Sequence, residues 1–137
     1  MACDLQMTEG TKKWKCKTKI YKFKAHPNTY PHADFIVGFA GSAGAIVSVA
    51  EFFSLPETTA PPKVKDLKGL VLTAEGLLYA FDHYTQWIRL DQKYAAIGSG
   101  GEYALGAVEM GASLKDAIKA ASKHDPYTGM GCKILGF

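Results

Sequence analysis

The sequence predicts an α+β domain in which antiparallel sheets pack with helices. Three observations lead there. Short alternating or apolar runs are joined by tight turns, as strands are. Three segments carry helical periodicity. The order of elements lacks the strand–helix–strand alternation that a parallel sheet demands. At 137 residues the chain has the size of one ordinary domain, and 1–137 is read as a single unit.

From Lys12 to Lys24, Trp14, Cys16, Thr18 and Ile20 alternate with Lys13, Lys15, Lys17 and Lys19, the period of a strand with one wet face. His26-Pro27-Asn28 interrupts it. Asp34 to Ala40 is nearly continuously apolar, which suits a strand covered on both faces. After the tight connection Gly41 to Gly44, the residues Ala45, Ile46, Val49, Ala50 and Phe53 fall on one helical stripe. Pro56 to Pro62 can hold neither helix nor ladder and reads as a loop. Leu70–Ala74 and Leu77–Phe81 read as a β-hairpin about Glu75-Gly76, and Trp87–Leu90 with Tyr94–Ile97 as a second one. Gly98 to Gly101 opens a helix over about Glu102 to Met110, closed by Gly111. Ser113 and Asp116 resemble a capping box for the next helix, whose buried stripe is Leu114, Ala117, Ile118 and Ala121. Pro126 stops that helix, and Cys132–Phe137 returns as a strand.

Composition bounds the function. With 47% hydrophobic and 21% charged residues the chain is globular rather than disordered. No apolar run reaches the roughly 18 residues of a membrane span, and no signal peptide is visible, so a cytoplasmic protein without membrane partners is expected. Three cysteines without paired metal spacing read as reduced thiols. The net charge of +3 is uneven. Residues 1–26 hold seven lysines against Asp4 and Glu9, or +5, and the remainder is −2.

Several groups invite chemical readings. The glycine turn 98–101 before a helix has the form of an anion cradle, but it lacks a P-loop lysine and Glu102 brings negative charge; a close-packed turn is the simpler expectation. Lys12–Lys24 with its aromatics can track a nucleic acid, against the plainer reading of a solvated edge strand. His26, His32, His83 and His124 have no partners at ligand spacing, so neither metal nor other cofactor is expected. Asp125 at a helix C-terminus opposes the dipole and needs another contact, such as a hydrogen bond to Thr128 or the 129–131 backbone.

Taken together these residues resemble a family. Tyr94 to Gly111 is similar to the strand, glycine turn and helix of proteasome β subunits and the bacterial HslV peptidase. Ser113–Ala121 and the stretch Asp125 to Gly131 match the next helix and its Asp-x-x-Ser/Thr-Gly turn. Asp34 to Gly41, Cys3 to Gly10 and Lys17 to Ile20 resemble earlier strands in the same order. The resemblance implies an N-terminal-nucleophile hydrolase fold, an αββα sandwich shortened at its N-terminus.

In that family a terminal threonine hydroxyl attacks the peptide bond while its own amine is the base. By position, Asp4 matches the family's aspartate and Lys19 the lysine that lowers the proton affinity of the nucleophile. Gly38 matches the oxyanion-hole amide, and Asp125 with Thr128 the groups supporting the amine. The family's serine falls at Gly101, so its hydrogen bond is expected to be missing. The nucleophile belongs a strand ahead of Asp4, and neither Thr11 nor Cys3 is placed to replace it. The resemblance therefore implies a degenerate, non-catalytic subunit, structural or assembly-related, forming homo-oligomers and at home among phage-encoded relatives in host cytoplasm or virion. The alternatives are an active threonine peptidase acting on peptides, its nucleophile segment lying upstream of Met1, and a nucleic-acid-binding module using Lys12–Lys24.

Overall fold

The computed structural model describes residues 1–25, 33–55, 62, 64–82 and 87–137. Nine strands and three helices occur among them: β1 (Ala2–Asp4), β2 (Gln6–Glu9), β3 (Lys12–Lys15), β4 (Ile20–Phe23), β5 (Phe35–Gly41), α1 (Ala43–Ser54), β6 (Leu67–Thr73), β7 (Leu78–Asp82), β8 (Ile88–Leu90), α2 (Gly101–Glu109), α3 (Leu114–His124) and β9 (Cys132–Ile134). The class is α+β with antiparallel sheets, as the sequence predicts.

Strands β4 to β8 form one antiparallel sheet in chain order. Its register aligns Tyr21, Val37, Val71 and Tyr79 across four strands, and Ile20, Gly38, Leu70 and Ala80 on the alternate rung. Because side chains alternate, the first set faces one side of the sheet and the second the other. Helix α1 covers the first side. Ser42 caps it by accepting from the Ala45 N–H at 3.3 Å, and it ends at Leu55, just before Pro56. Val49 packs fully buried against Val37, Val71, Phe39 and Phe81, each such side chain stabilising by about 1.5–3 kcal/mol. Tyr21, Phe23, Phe53 and Trp87 extend this core, the centroids of successive rings 5.5–6.4 Å apart. Gly69 belongs here for a steric reason: a Cβ at this position would run into the Phe81 ring.

The second side of the sheet is different. Two small ribbons, β1–β9 and β2–β3, and the helical pair α2–α3 stand off from it. Between them lies a cavity of about 1110 Å³, with Gly38, Ala40, Leu70, Leu72 and Leu78 on the sheet side and Ala104, Leu105, Ala117 and Ala121 on the helix side. Helix α3 is well specified: Ser113 accepts from the Asp116 N–H at 3.2 Å, and Lys123 and His124 in the last turn complement its dipole.

Two expectations need correction. The lysine-rich segment is not one strand. β3 pairs with β2, whereas β4 joins the large sheet. Thr18 enforces the break, since its hydroxyl donates to the Ile20 carbonyl at 2.7 Å and so competes with ladder bonding. Nor do Tyr94–Ile97 form a hairpin with β8. β8 pairs instead with β7, Leu78 opposite Leu90, and residues 94–97 join no ladder. The first hairpin stands, turning through Gly76 at φ +84°. Most of the expected loop 56–62 and its neighbour at His26-Pro27-Asn28 lie outside the described residues, as do His26, His32 and His83.

Candidate functional site

Asp4 ends β1 and Lys19 precedes β4, yet the two meet. The Lys19 ammonium donates to both Asp4 carboxylate oxygens at 3.1 Å, and both side chains are mostly shielded. The backbone N–H groups of Gln6, at 2.8 Å, and Gly129, at 3.3 Å, also donate to Asp4 Oδ1. Asp4 therefore holds the lysine from a carboxylate that is itself fixed. Lys19 is fixed from a second direction because its carbonyl accepts from the Phe39 N–H at 3.0 Å, on the neighbouring β5.

The second cluster surrounds Asp125, the C-cap of α3. Its Oδ2 accepts from the Thr128 hydroxyl and from the Ser99 hydroxyl, each at 2.6 Å. The Tyr127 N–H donates to Oδ1 at 3.2 Å. Burial works against the charged carboxyl, but these three hydrogen bonds and the field of Lys13 outweigh it and hold the group below the usual carboxylate range. That answers why a carboxylate is tolerated at the negative end of a helix dipole.

The clusters are joined by the turn after α3. Gly129 donates to Asp4, its carbonyl accepts from the Leu5 N–H at 3.1 Å, and the buried Gln6 amide donates to the Pro126 carbonyl at 2.7 Å. Met130 and Gly131 take positive φ, which lets the chain reverse directly into β9. Asp4, Lys19, Gly38 and Thr128 all line the cavity, and Asp125 sits behind Thr128 and Ser99. Gly38 lies mid-strand between Ile20 and Leu70. The Met1 thioether sulfur lies 2.8 Å from where a Cβ on Gly38 would be.

One expectation at this site is overturned. The hydroxyl that the sequence reading placed at Gly101, and therefore missed, comes from Ser99. The glycine that matters sterically is Gly100, where a Cβ would collide with the Thr128 hydroxyl. A serine between two glycines was the available signal: glycine on each side lets the backbone approach closely enough for the hydroxyl to reach a buried acid. The same contact disposes of the anion cradle, because the turn faces a carboxylate. Gln6 and Gly129 were not anticipated either, since their roles arise only from contacts across about 120 residues or more, nor was Met1, which meets Gly38 from another strand.

Tyr21 and Phe23 pack into the core, leaving Trp14, 42% exposed, as the aromatic presented beside Lys12, Lys13 and Lys15. The His124 ring stacks on Tyr103 with centroids 5.4 Å apart. Among the described residues no group of three or more His, Cys, Asp or Glu is arranged to hold a metal ion. No helix among them is long and apolar enough to cross a membrane.

This sheet and these helices form an α+β fold that solved structures of HslV and Anbu subunits share. The Thiobacillus denitrificans BPH, solved in complex with epoxomicin, superposes with a TM-score of 0.73 at 17% identity, covering 96% of this chain and 88% of that one. Eukaryotic HslV from Trypanosoma brucei gives 0.67 at 20% identity over 96% and 88%. The Anbu complex from Pseudomonas aeruginosa, solved as a helical assembly, gives 0.67 at 11% identity over 99% and 75%. No family model and no curated protein matches the sequence.

Proposed function

We propose that this chain is a subunit of a proteasome- or HslV-like assembly, and that its described residues form the supporting side of an N-terminal-nucleophile peptidase site. One observation carries the reading: the Lys19–Asp4 pair and the Ser99–Asp125–Thr128 cluster lie at one cleft and are linked through Gly129. A fixed cation next to a cleft lowers the proton affinity of an amine or hydroxyl delivered there. A carboxylate held in its charged form by two hydroxyls orients a proton on that amine. Its match to the family's strand assigns the amide that meets the carbonyl under attack to Gly38. The nucleophile is to come on an extended segment ahead of Met1, for which the cleft has room beside β1 and the unpaired stretch Tyr94–Ile97. Like the helical Anbu complex, the chain is proposed to assemble with copies of itself.

A second reading, a structural subunit without catalysis, draws on the Met1 side chain packed over Gly38, where a substrate carbonyl would otherwise sit. The two readings separate in one experiment. Fluorogenic peptides are offered to the 137-residue chain and to a version extended ahead of Met1 by a strand opening on threonine, each with and without epoxomicin. The peptidase reading expects turnover only from the extended chain, blocked by epoxomicin, and reduced at least about 10²-fold by Lys19→Met. An extended, assembled chain that remains silent rejects it and leaves the structural role.

A further inference from the structure

The β2–β3 ribbon carries a charge pattern that the peptidase site does not use. Met7, Thr8 and Glu9 of β2 and Trp14 of β3 line the cavity. Every residue of β3 is exposed, so β3 is the outer strand and Trp14 stands at the cavity mouth. The register pairs Met7 with Trp14 and Glu9 with Lys12, which puts these four on one face of the ribbon. Lys13 and Lys15, the chain neighbours of Trp14, lie on the other face, and Lys17 is exposed just beyond. The flexible four-carbon stem of a lysine lets its ammonium swing round the edge of β3 to the mouth. Lys93 lines the cavity as well, its ammonium 5.1 Å from the centre of the Tyr94 ring. Among the described residues the ion pairs are Lys19–Asp4, Lys24–Asp34 and Arg89–Asp91. Lys12, Lys13, Lys15, Lys17 and Lys93 therefore have no carboxylate at ion-pair distance. Of the two acids that line the cavity, Asp4 is held by Lys19 and Glu9 faces Lys12. The mouth is left with surplus positive charge, while the walls behind it, at Leu70, Leu72, Leu78, Leu105 and Val108, are aliphatic.

We propose that this mouth selects acidic polypeptides: an apolar side chain enters the cleft past Trp14, and carboxylates flanking it meet Lys13, Lys15 and Lys93. The proposal rests on the reading of the cleft as a peptide site and names the substrate class for it. Complementary charge at a cleft raises the encounter rate and rejects partners of the wrong sign. Each exposed pair contributes little alone, so the preference comes from several acting together. A nucleic acid fits this surface less well. Its bases need aromatic faces beside the lysines that hold its phosphates. Tyr21 and Phe23 are packed into the core, and Trp14 lies on the ribbon face opposite Lys13 and Lys15.

The test reads binding to the folded 137-residue protein and so does not depend on turnover. Three fluorescein-labelled peptides share a central leucine and carry glutamate, glutamine or lysine on both sides of it. Anisotropy titration at about 50 mM salt should rank them in that order, the glutamate peptide about 5- to 10-fold tighter than the glutamine one. Salt at about 300 mM should remove most of the difference. Lys13→Gln with Lys15→Gln should cut it to about 2-fold or less, whereas Lys13→Arg with Lys15→Arg keeps it. Unlabelled glutamate peptide should change the tryptophan emission of the wild type but not of Trp14→Phe. Equal affinity for the glutamate and glutamine peptides, or no binding of either, overturns the proposal. So does a preference that survives the paired glutamines, an emission change that survives Trp14→Phe, or tighter binding of a single-stranded oligothymidine. Failure of the peptidase reading shows separately, as silence of the extended chain.

Discussion

The two faces of the five-stranded sheet use the same strands for opposite ends. On one face Val37, Val71, Tyr79 and Phe81 are sealed beneath α1 by large aromatic rings. On the other, Gly38, Ala40, Leu70 and Leu72 look across a cavity toward α2 and α3. Alternation along each strand makes the division possible without any change in backbone. Tight packing resides where nothing needs to enter. The polar network gathers along the cavity, anchored by turns rather than by a core.

Removing packing from the sealed face should have the largest effect. Phe81→Ala removes a ring that touches Phe39, Phe53 and Trp87, and should lower stability by about 3–5 kcal/mol in urea titration. A loss below about 1 kcal/mol would mean that this face is not the core. Next comes the anchor of the open side. Asp125→Asn gives up charge-assisted hydrogen bonds and should cost about 1.5–3 kcal/mol at neutral pH. The folded carboxyl titrates below its unfolded value, so its contribution is complete above about pH 4 and disappears as pH falls through the folded value. The gap between wild type and variant should therefore close in acid; a gap independent of pH would assign Asp125 a steric role only.

Gly100→Ala tests the same anchor by steric means. The added methyl meets the Thr128 hydroxyl, and a loss of about 1–3 kcal/mol is expected in thermal denaturation. An unchanged melting temperature would show that the glycine turn has slack. The smallest effect should come from Leu72→Ala on the cavity side. Leu72 is only half-buried against an already open space, so about 1 kcal/mol or less is expected. A loss matching that of Phe81→Ala would erase the contrast between the faces.

Much of the local structure was legible. The apolar run at 35–40, the hairpin through Glu75-Gly76 and the two C-terminal helices follow from periodicity and caps, which act over a few residues. The division of Lys12–Lys24 into two sheets was not legible, because a perfect alternation cannot reveal that Thr18 bonds locally and breaks the ladder. Residues 94–97 carry a strand pattern without a strand, since a ladder needs a partner edge that no local pattern supplies. At the site, Asp4, Lys19, Gly38, Asp125 and Thr128 came from a resemblance of motifs, and the structure brings them to one cleft. Ser99 had to be found in space.

The amino-acid order alone determined the fold class, the helices, the Ser113 cap, and which residues are apolar enough to make a core, because these depend on neighbours a turn or a pleat away. Tertiary structure alone decided that Gly129 joins the two charged clusters, that Ser99 rather than residue 101 reaches Asp125, and that Met1 covers Gly38. Those contacts join parts of the chain far apart in sequence. Their geometry follows from how the sheet, ribbons and helices come together, which no short window of residues encodes.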